Sequence, residues 1–338
     1  MTMAINRAVQ PSKPKGEPLD NYVLNTLPKP TASPKNVVVR IVLRPVNPSD
    51  LITSRWGTWA HLDLRTIVGG SEGTGIVHEV GKGVTKVTVG QRVIPLTWSL
   101  YYSQGYGLWR DYVEVPEIDL VPVPDDMPDE VAAQFLINPW TAYGMLNRLQ
   151  VPKDDYLVQT AAGSVLGRQI ISLAKHYGIK TINVVRRDEQ IQELKNVGAD
   201  YVINSKKEDL KARVMAITKG KGAYAALDAV ATESTRLVAS SVRDGGQVLV
   251  YGALSGNMVT LDLADLIRNV SVAFFLVTDY KHDLPQREKT VKAVMELLSK
   301  KIIYPTTGKT FQLEEFKEAI METEREARGG KVLLASYD

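Results

Sequence analysis

Two adjacent arginines, Arg186 and Arg187, close an apolar run, Thr181 to Val185, that lies downstream of a loop built almost wholly of small residues, Ala161 to Gly167. Tyr156 to Thr160 before the loop is a short apolar run suited to a buried parallel strand. From Gln169, Ile170, Ile171, Leu173, Ala174 and Tyr177 recur at helical spacing until Gly178, which sits where a C-terminal cap belongs. Strand, small-residue turn, helix and second strand make a nucleotide-binding βαβ unit. The turn departs from G-x-G-x-x-G: Gly163 and Gly167 enclose Ser164, Val165 and Leu166. Its physical task is to open a helix whose free N–H groups and positive dipole end face a pyrophosphate, with Ala162 and Gly163 allowing close approach and Gly167 allowing helix and strand to pack. An NAD-binding unit ends its second strand in an acid that holds the ribose 2′-hydroxyl. Here Arg186 and Arg187 suit a 2′-phosphate instead, so the expected cofactor is NADPH rather than NADH.

Other chemistry is bounded by composition. The 338 residues contain no cysteine, which excludes disulfides, thiolate zinc sites and cysteine nucleophiles. Histidines at 61, 78, 176 and 282 show no ligand spacing. A net charge of +3 is too mild to argue for nucleic acid. No apolar run reaches the roughly 18 residues needed to span a membrane, and the N-terminus lacks a secretory h-region. The expectation is a soluble cytoplasmic protein, or one of the mitochondrial matrix where a targeting segment has been removed.

The chain length predicts two domains with separate cores. Val37 to Pro45 is a β-branched strand leading into Asn47-Pro48-Ser49-Asp50, read as a turn, and Thr53 to Thr66 reads as a loop over a cleft. Val68 to Val80 is so rich in glycine that backbone must pass close to something, at a tight barrel corner or a ligand wall. Glu72 within it reads as a buried carboxylate bonded to backbone N–H groups. With Gly107 to Val115 as a further strand, the first part of the chain predicts a small β-barrel-like domain. A helix-start signal at Asp125 to Glu130 opens the second domain, and Pro139 is expected to interrupt the helix that follows. Strands alternating with short helices then predict a parallel sheet covered on both faces, with Gln247 to Gly252 and Val270 to Val277 among its strands. The expected division is 1–125 with 277–338 against 126–276.

The segments Asn47 to Asp50, Gly69 to Gly75, Gly107 to Arg110, Asn138 to Tyr143, Gln159 to Gly167, Asn183 to Arg187 and Gly330 to Val332 together resemble the medium-chain dehydrogenase/reductase superfamily. The resemblance covers nearly the whole chain and implies an α/β protein with a GroES-like β-barrel catalytic domain and a Rossmann domain. Zinc alcohol dehydrogenases carry a cysteine near position 47 and a histidine before Glu72, where this chain has Asn47 and Ser71. The resemblance is therefore to the zinc-independent branch, the quinone oxidoreductases and mitochondrial-type trans-2-enoyl-CoA/acyl-carrier-protein reductases. It places Gly252, Ala253, Phe274, Phe275 and Lys331 along the nicotinamide half of the cofactor, no metal at the site, and a homodimer across a sheet edge. The catalytic tyrosine of the enoyl reductases falls in a Tyr-Gly segment that reads Trp56-Gly57 here. Tryptophan donates only through its indole N–H and offers no phenolic proton.

Reduction of an activated C=C bond needs a hydride at the β-carbon, stabilisation of the developing enolate oxygen and a proton at the α-carbon. Donors aimed at such an oxygen are worth ~2.7–4 kcal/mol each. Thr141, Asn47 and the backbone of 138 to 143 are the candidate donors, and Tyr102, Tyr106 or water the candidate proton source. The implied activity is NADPH-dependent reduction of a trans-2-enoyl thioester. The alternatives are a quinone or 2-alkenal substrate, and an NADPH-binding or RNA-binding relative without turnover.

Overall fold

The computed structural model describes residues 5–277 and 283–336. His282 lies outside the described residues. The chain forms two compact units, one of residues 1–137 with 305–338 and the other of residues 138–304. These limits differ from the cuts at 125/126 and 276/277 read from the sequence, because the short helix Asp129–Ala132 stays with the first unit. The helix Leu284–Ser299 belongs wholly to the second unit, and only Pro305 onward returns to the first.

In the first unit β1 (Ile5–Pro11) and β2 (Tyr22–Pro28) pair antiparallel. A second, seven-stranded sheet is built from β3 (Asn36–Pro45), β4 (Thr74–Val80), β5 (Arg92–Pro95), β6 (Tyr112–Pro116) and β7 (Leu120–Pro122), with β14 (Thr307–Gln312) and β15 (Lys331–Ala335) from the far end of the chain. β3 is central: it pairs with β4, β6 and β15. Its alternation of Val37, Val39 and Ile41 feeds a core shared with Val77, Val93 and Val113. The glycine run explains itself through Trp109, a buried indole whose Nε1 donates to the Pro45 carbonyl at 3.1 Å. A Cβ on Gly70, which has φ +87°, would fall 2.1 Å from Trp109 Cδ1, and one on Gly69 2.7 Å from Cε3. The backbone passes close to an aromatic side chain of the same unit at these two positions.

The second unit is a six-stranded parallel sheet. Its strands in chain order are β8 (Tyr156–Gln159), β9 (Lys180–Val185), β10 (Tyr201–Asn204), β11 (Ala223–Asp228), β12 (Val242–Val250) and β13 (Ser271–Phe274). They lie in the order β10-β9-β8-β11-β12-β13. With strands renumbered within the unit this is 3-2-1-4-5-6, the dinucleotide-binding order, whose crevice opens where the order reverses, between β8 and β11. Val158, Ile182, Ile203, Ala226 and Val248 form one core across five of these strands, which is why they read as continuous apolar runs.

Several local expectations are corrected. Asn47 to Asp50 starts a helix, Pro48–Trp56, with Asn47 as its N-cap and Pro48 at a first-turn position that proline favours. The Asp50 carboxylate accepts the Asn47 N–H at 2.9 Å, the reach-back of a capping box. Part of the expected loop is thus helical, and a further short helix, Trp98–Gln104, carries Tyr101 and Tyr102. Pro139 does not interrupt its helix, which runs Ile137–Leu149. The proline sits in the first turn, where N–H groups have no intrahelical partner to lose. Of the stretch 107–115, only the part from Tyr112 is strand. No helix among the described residues is long and apolar enough to cross a membrane.

Candidate functional site

The small-residue loop lies at the carboxyl end of β8. Ala161 adopts φ +48°, and Ser164 caps the helix Val165–Tyr177 by accepting the Gly167 N–H at 3.0 Å. A Cβ on Gly167 would stand 2.5 Å from the Ala162 carbonyl oxygen, so helix and loop meet at a distance that glycine alone permits. The first-turn N–H groups of Val165 and Leu166 have no intrahelical acceptor and lie at the positive end of the helix dipole. The loop is therefore a cradle suited to a pyrophosphate. Arg186 and Arg187 follow directly on β9, Arg186 exposed and Arg187 half-buried.

Opposite the loop, across the β8/β11 crevice, lies a residue that sequence reasoning missed. Asp228 ends β11 fully buried. Its carboxylate accepts from Thr160 Oγ1 at 2.7 Å, Ser234 Oγ at 2.9 Å, Thr235 Oγ1 at 2.7 Å and the N–H groups of Val230 and Ala231 at 3.0 and 3.2 Å. Thr160 Oγ1 in turn accepts the Ala229 N–H at 2.9 Å. One acid fastens the ends of two neighbouring strands and the loop behind them. The signal available was an acid directly after an apolar strand, followed shortly by Ser234 and Thr235. Beyond it, Gly252 and Ala253 follow β12, half-buried. Phe274 is 57% exposed whereas Phe275 is buried, so the two rings face opposite ways.

The first unit holds a second cluster, entirely buried. Lys331 at the start of β15 donates from Nζ to Asn47 Oδ1 at 2.5 Å, and Asn47 Nδ2 donates to Glu72 Oε1 at 3.0 Å and to Ser71 Oγ at 3.4 Å. Glu72 Oε2 accepts the N–H groups of Leu136 and Ile137 at 3.0 and 2.8 Å, at the start of the helix Ile137–Leu149. The expected backbone-bonded carboxylate is present, with Asn47 and Lys331 added. Burial pushes the Glu72 carboxyl up to about 7 against the pull of Lys331, and the Lys331 ammonium down to about 8 against the pull of Glu72. Burial likewise pushes Asp50 up to about 6. Tyr102 joins this cluster: its phenol lies near the Ser49 hydroxyl, Asp50 and Glu72, and burial, reinforced by Asp50, raises its pKa. A phenol is protonated at neutral pH in any case, and the shift makes Tyr102 a weaker acid.

The catalytic candidates do not all converge. Both amide hydrogens of Asn47 are directed to Glu72 and Ser71, so this side chain positions its neighbours and has no donor to spare for an enolate oxygen. Trp56 ends the same helix that Asn47 begins, nine residues on, or about 13 Å along the axis. It is 44% exposed and followed by Gly57 in the left-handed conformation. Thr141 is buried in the helix Ile137–Leu149, within the second unit.

Comparisons with known proteins agree with this architecture. The alcohol dehydrogenase GroES-like domain matches residues 33–125, and a domain described as zinc-binding dehydrogenase matches residues 165–300. Among the described residues, no group of three His, Asp or Glu is placed to hold a metal ion. The mitochondrial enoyl-[acyl-carrier-protein] reductase of Xenopus tropicalis is 32% identical over 94% of this chain and 92% of its own length. The enzyme of that name from Dictyostelium discoideum is 31% identical over 89% and 87%. Among solved structures, a candidate NADPH:quinone reductase from Bacillus thuringiensis superposes with a TM-score of 0.90 at 30% identity, over 99% of this chain and 100% of that one. The chain, with its GroES-like and dinucleotide-binding units and no cysteine, belongs to the zinc-independent medium-chain dehydrogenase/reductase family.

Proposed function

We propose that this protein is an NADPH-dependent oxidoreductase that reduces an activated C=C bond, with a trans-2-enoyl thioester as substrate. The observation that carries the reading is the cradle of Ala162 to Gly167 on the β8/β11 crevice, with Arg186 and Arg187 where an NAD site has an acid. The full-length similarity to enoyl-[acyl-carrier-protein] reductases supports the thioester, and the Bacillus neighbour supports a quinone as the alternative.

The residues fit the cofactor. The first-turn N–H groups at Val165 and Leu166 hold the pyrophosphate, the guanidinium groups of Arg186 and Arg187 hold the 2′-phosphate, and Gly252, Ala253, Phe274, Phe275 and Lys331 are assigned to the nicotinamide half. NADPH, when bound, supplies the hydride. Enolate stabilisation is assigned to Thr141, whose hydroxyl is a hydrogen-bond donor. Tyr102, whose phenol carries its proton at neutral pH, is the proton source in place of the absent tyrosine at Trp56. The partner is a second copy of the chain: β13 pairs with β12 on one side, and Leu263, Leu266, Ile267 and Phe274 are exposed nearby, an apolar edge suited to two-fold pairing.

The test is to mix the purified protein with NADPH and, separately, crotonyl-CoA, 2-alkenals and simple quinones, and to follow cofactor absorbance. Oxidation with crotonyl-CoA is expected, and oxidation with quinones alone would move the assignment to the alternative. Binding of NADPH with no oxidation in any arm would refute catalysis and leave the non-catalytic reading. Replacing Arg186 and Arg187 by Ala should weaken NADPH about ten- to a hundredfold per lost partner, and NADH far less. Light scattering checks the dimer.

A further inference from the structure

The turn after β9 carries a contradiction in charge. Directly behind Arg186 and Arg187 stands Asp188, and a free carboxylate there would repel the phosphate that the arginines attract. The structure shows where that charge goes. Asp188 Oδ1 accepts from Asn204 Nδ2 at 2.6 Å, and Oδ2 is ion-paired with Lys207 Nζ. Lys207 and Asn204 together hold the Asp188 carboxyl below its usual range.

Both partners come from the neighbouring strand. Asn204 ends β10, and Lys207 lies in the turn after it, its N–H donating to the Asn204 carbonyl at 2.9 Å. That turn is tied to β9 by the Ser205 N–H, which donates to the Val185 carbonyl at 3.0 Å. Asp188 is also the N-cap residue of the helix Glu189–Val197. Along that helix, Gln190 lies against the cradle, since a Cβ on Gly163 would stand 2.0 Å from its Nε2. Glu193 pairs at 2.6 Å with Arg168, whose Nε donates to the Gly163 carbonyl at 3.3 Å. The clamp on Asp188 therefore fixes the start of the helix that leans on the glycine loop.

We infer that Asn204 and Lys207 are positioning residues that hold the Asp188 carboxylate toward β10 and cancel its charge, so that Lys207 helps select NADPH over NADH while spending its ammonium on protein. This rests on the NADPH reading above. Titration calorimetry of the full chain with NADPH and NADH tests it on the parent, Lys207→Ala, Asp188→Asn and the double variant. Lys207→Ala should weaken NADPH about three- to tenfold, the scale of an exposed ion pair acting on a doubly charged phosphate, with NADH changed less than about twofold. Asp188→Asn, which leaves the Lys207 charge uncancelled, should bind NADPH no more weakly than the parent, and the double variant should return NADPH to within about twofold of the parent. An unchanged NADPH-to-NADH ratio in Lys207→Ala overturns the inference. So does a double variant as weak as Lys207→Ala, which would mean that Lys207 touches the phosphate itself. A parent that prefers NADH overturns the cofactor reading and this inference with it. A parent whose NADPH preference is lost in Arg186→Ala sustains the cofactor reading whatever Lys207 does.

Discussion

Asp228 and Glu72 are both carboxylates taken out of water, one in each unit, and the fold satisfies them by different means. Asp228 is surrounded by neutral donors: three hydroxyls and two backbone N–H groups. Glu72 has two backbone N–H groups and, through Asn47, a buried ammonium. The first arrangement is local to the carboxyl ends of two central strands of one sheet and makes a rigid corner. The second joins four segments remote in sequence and leaves two groups whose pKa values lie near neutrality. A carboxylate held by many neutral donors serves to fasten backbone, whereas one linked to a buried cation can also respond to a charged ligand or a proton.

The comparison can be broken by deletion. Asp228→Ala leaves the hydroxyls of Thr160, Ser234 and Thr235 and two N–H groups without their acceptor. The expected loss is about 4–5 kcal/mol of stability in the second unit, read from urea unfolding, because each buried donor left unmade costs ~1–3 kcal/mol and some will find water. No single compensating substitution should restore it, since no partner carries the opposite charge.

Lys331→Met should cost about 3–5 kcal/mol, because it leaves Glu72 buried without its cation. Adding Glu72→Gln should recover most of that loss, as removing both charges is close to neutral in buried pairs. Additive losses in the double variant, measured by the same unfolding experiment, would show that the two charges are not coupled through Asn47.

A smaller effect sharpens the contrast through pH. The folded Glu72 holds its proton up to about 7 where the unfolded side chain releases it near 4.5. Across that window the unfolded state binds fewer protons, so stability falls as pH rises, and Asp50, raised from 3.8 to about 6, adds to the same slope. Lys331, lowered from 10.5 to about 8, acts oppositely: between about 8 and 10.5 the unfolded state binds more protons and stability climbs. Denaturation midpoints taken from pH 4.5 to 10.5 should trace a shallow trough with its floor between about 7 and 8. Its depth should be on the order of 3 kcal/mol, with the acid limb shallower in Glu72→Gln.

The sequence by itself determined the parts whose physics is local. The βαβ unit was legible because strand, small-residue loop, apolar helix periodicity and Gly178 cap all occur within one continuous stretch, and the arginines follow at its end. Glu72 read correctly as a backbone-bonded carboxylate, since an acid within a glycine-rich run has few other partners. The helix at Pro48 was missed although Asn47, Pro48 and Asp50 spell a capping box: its apolar face was too weakly periodic to outweigh the turn residues.

Tertiary structure decided what depends on pairing over distance. Lys331 and Asn47 are 284 residues apart, and only the pairing of β15 with β3 brings the start of β15 near the end of β3. Asp228 meets Thr160 because the strand order places β11 beside β8, and Asp188 meets Lys207 because β10 lies beside β9. The Gly69-Gly70 pair accommodates Trp109, which no local pattern could name. Residue types state which bonds a side chain can make. Which groups share a dry space with it, and so whether it fastens, neutralises or carries a proton, is set by the register and order of strands.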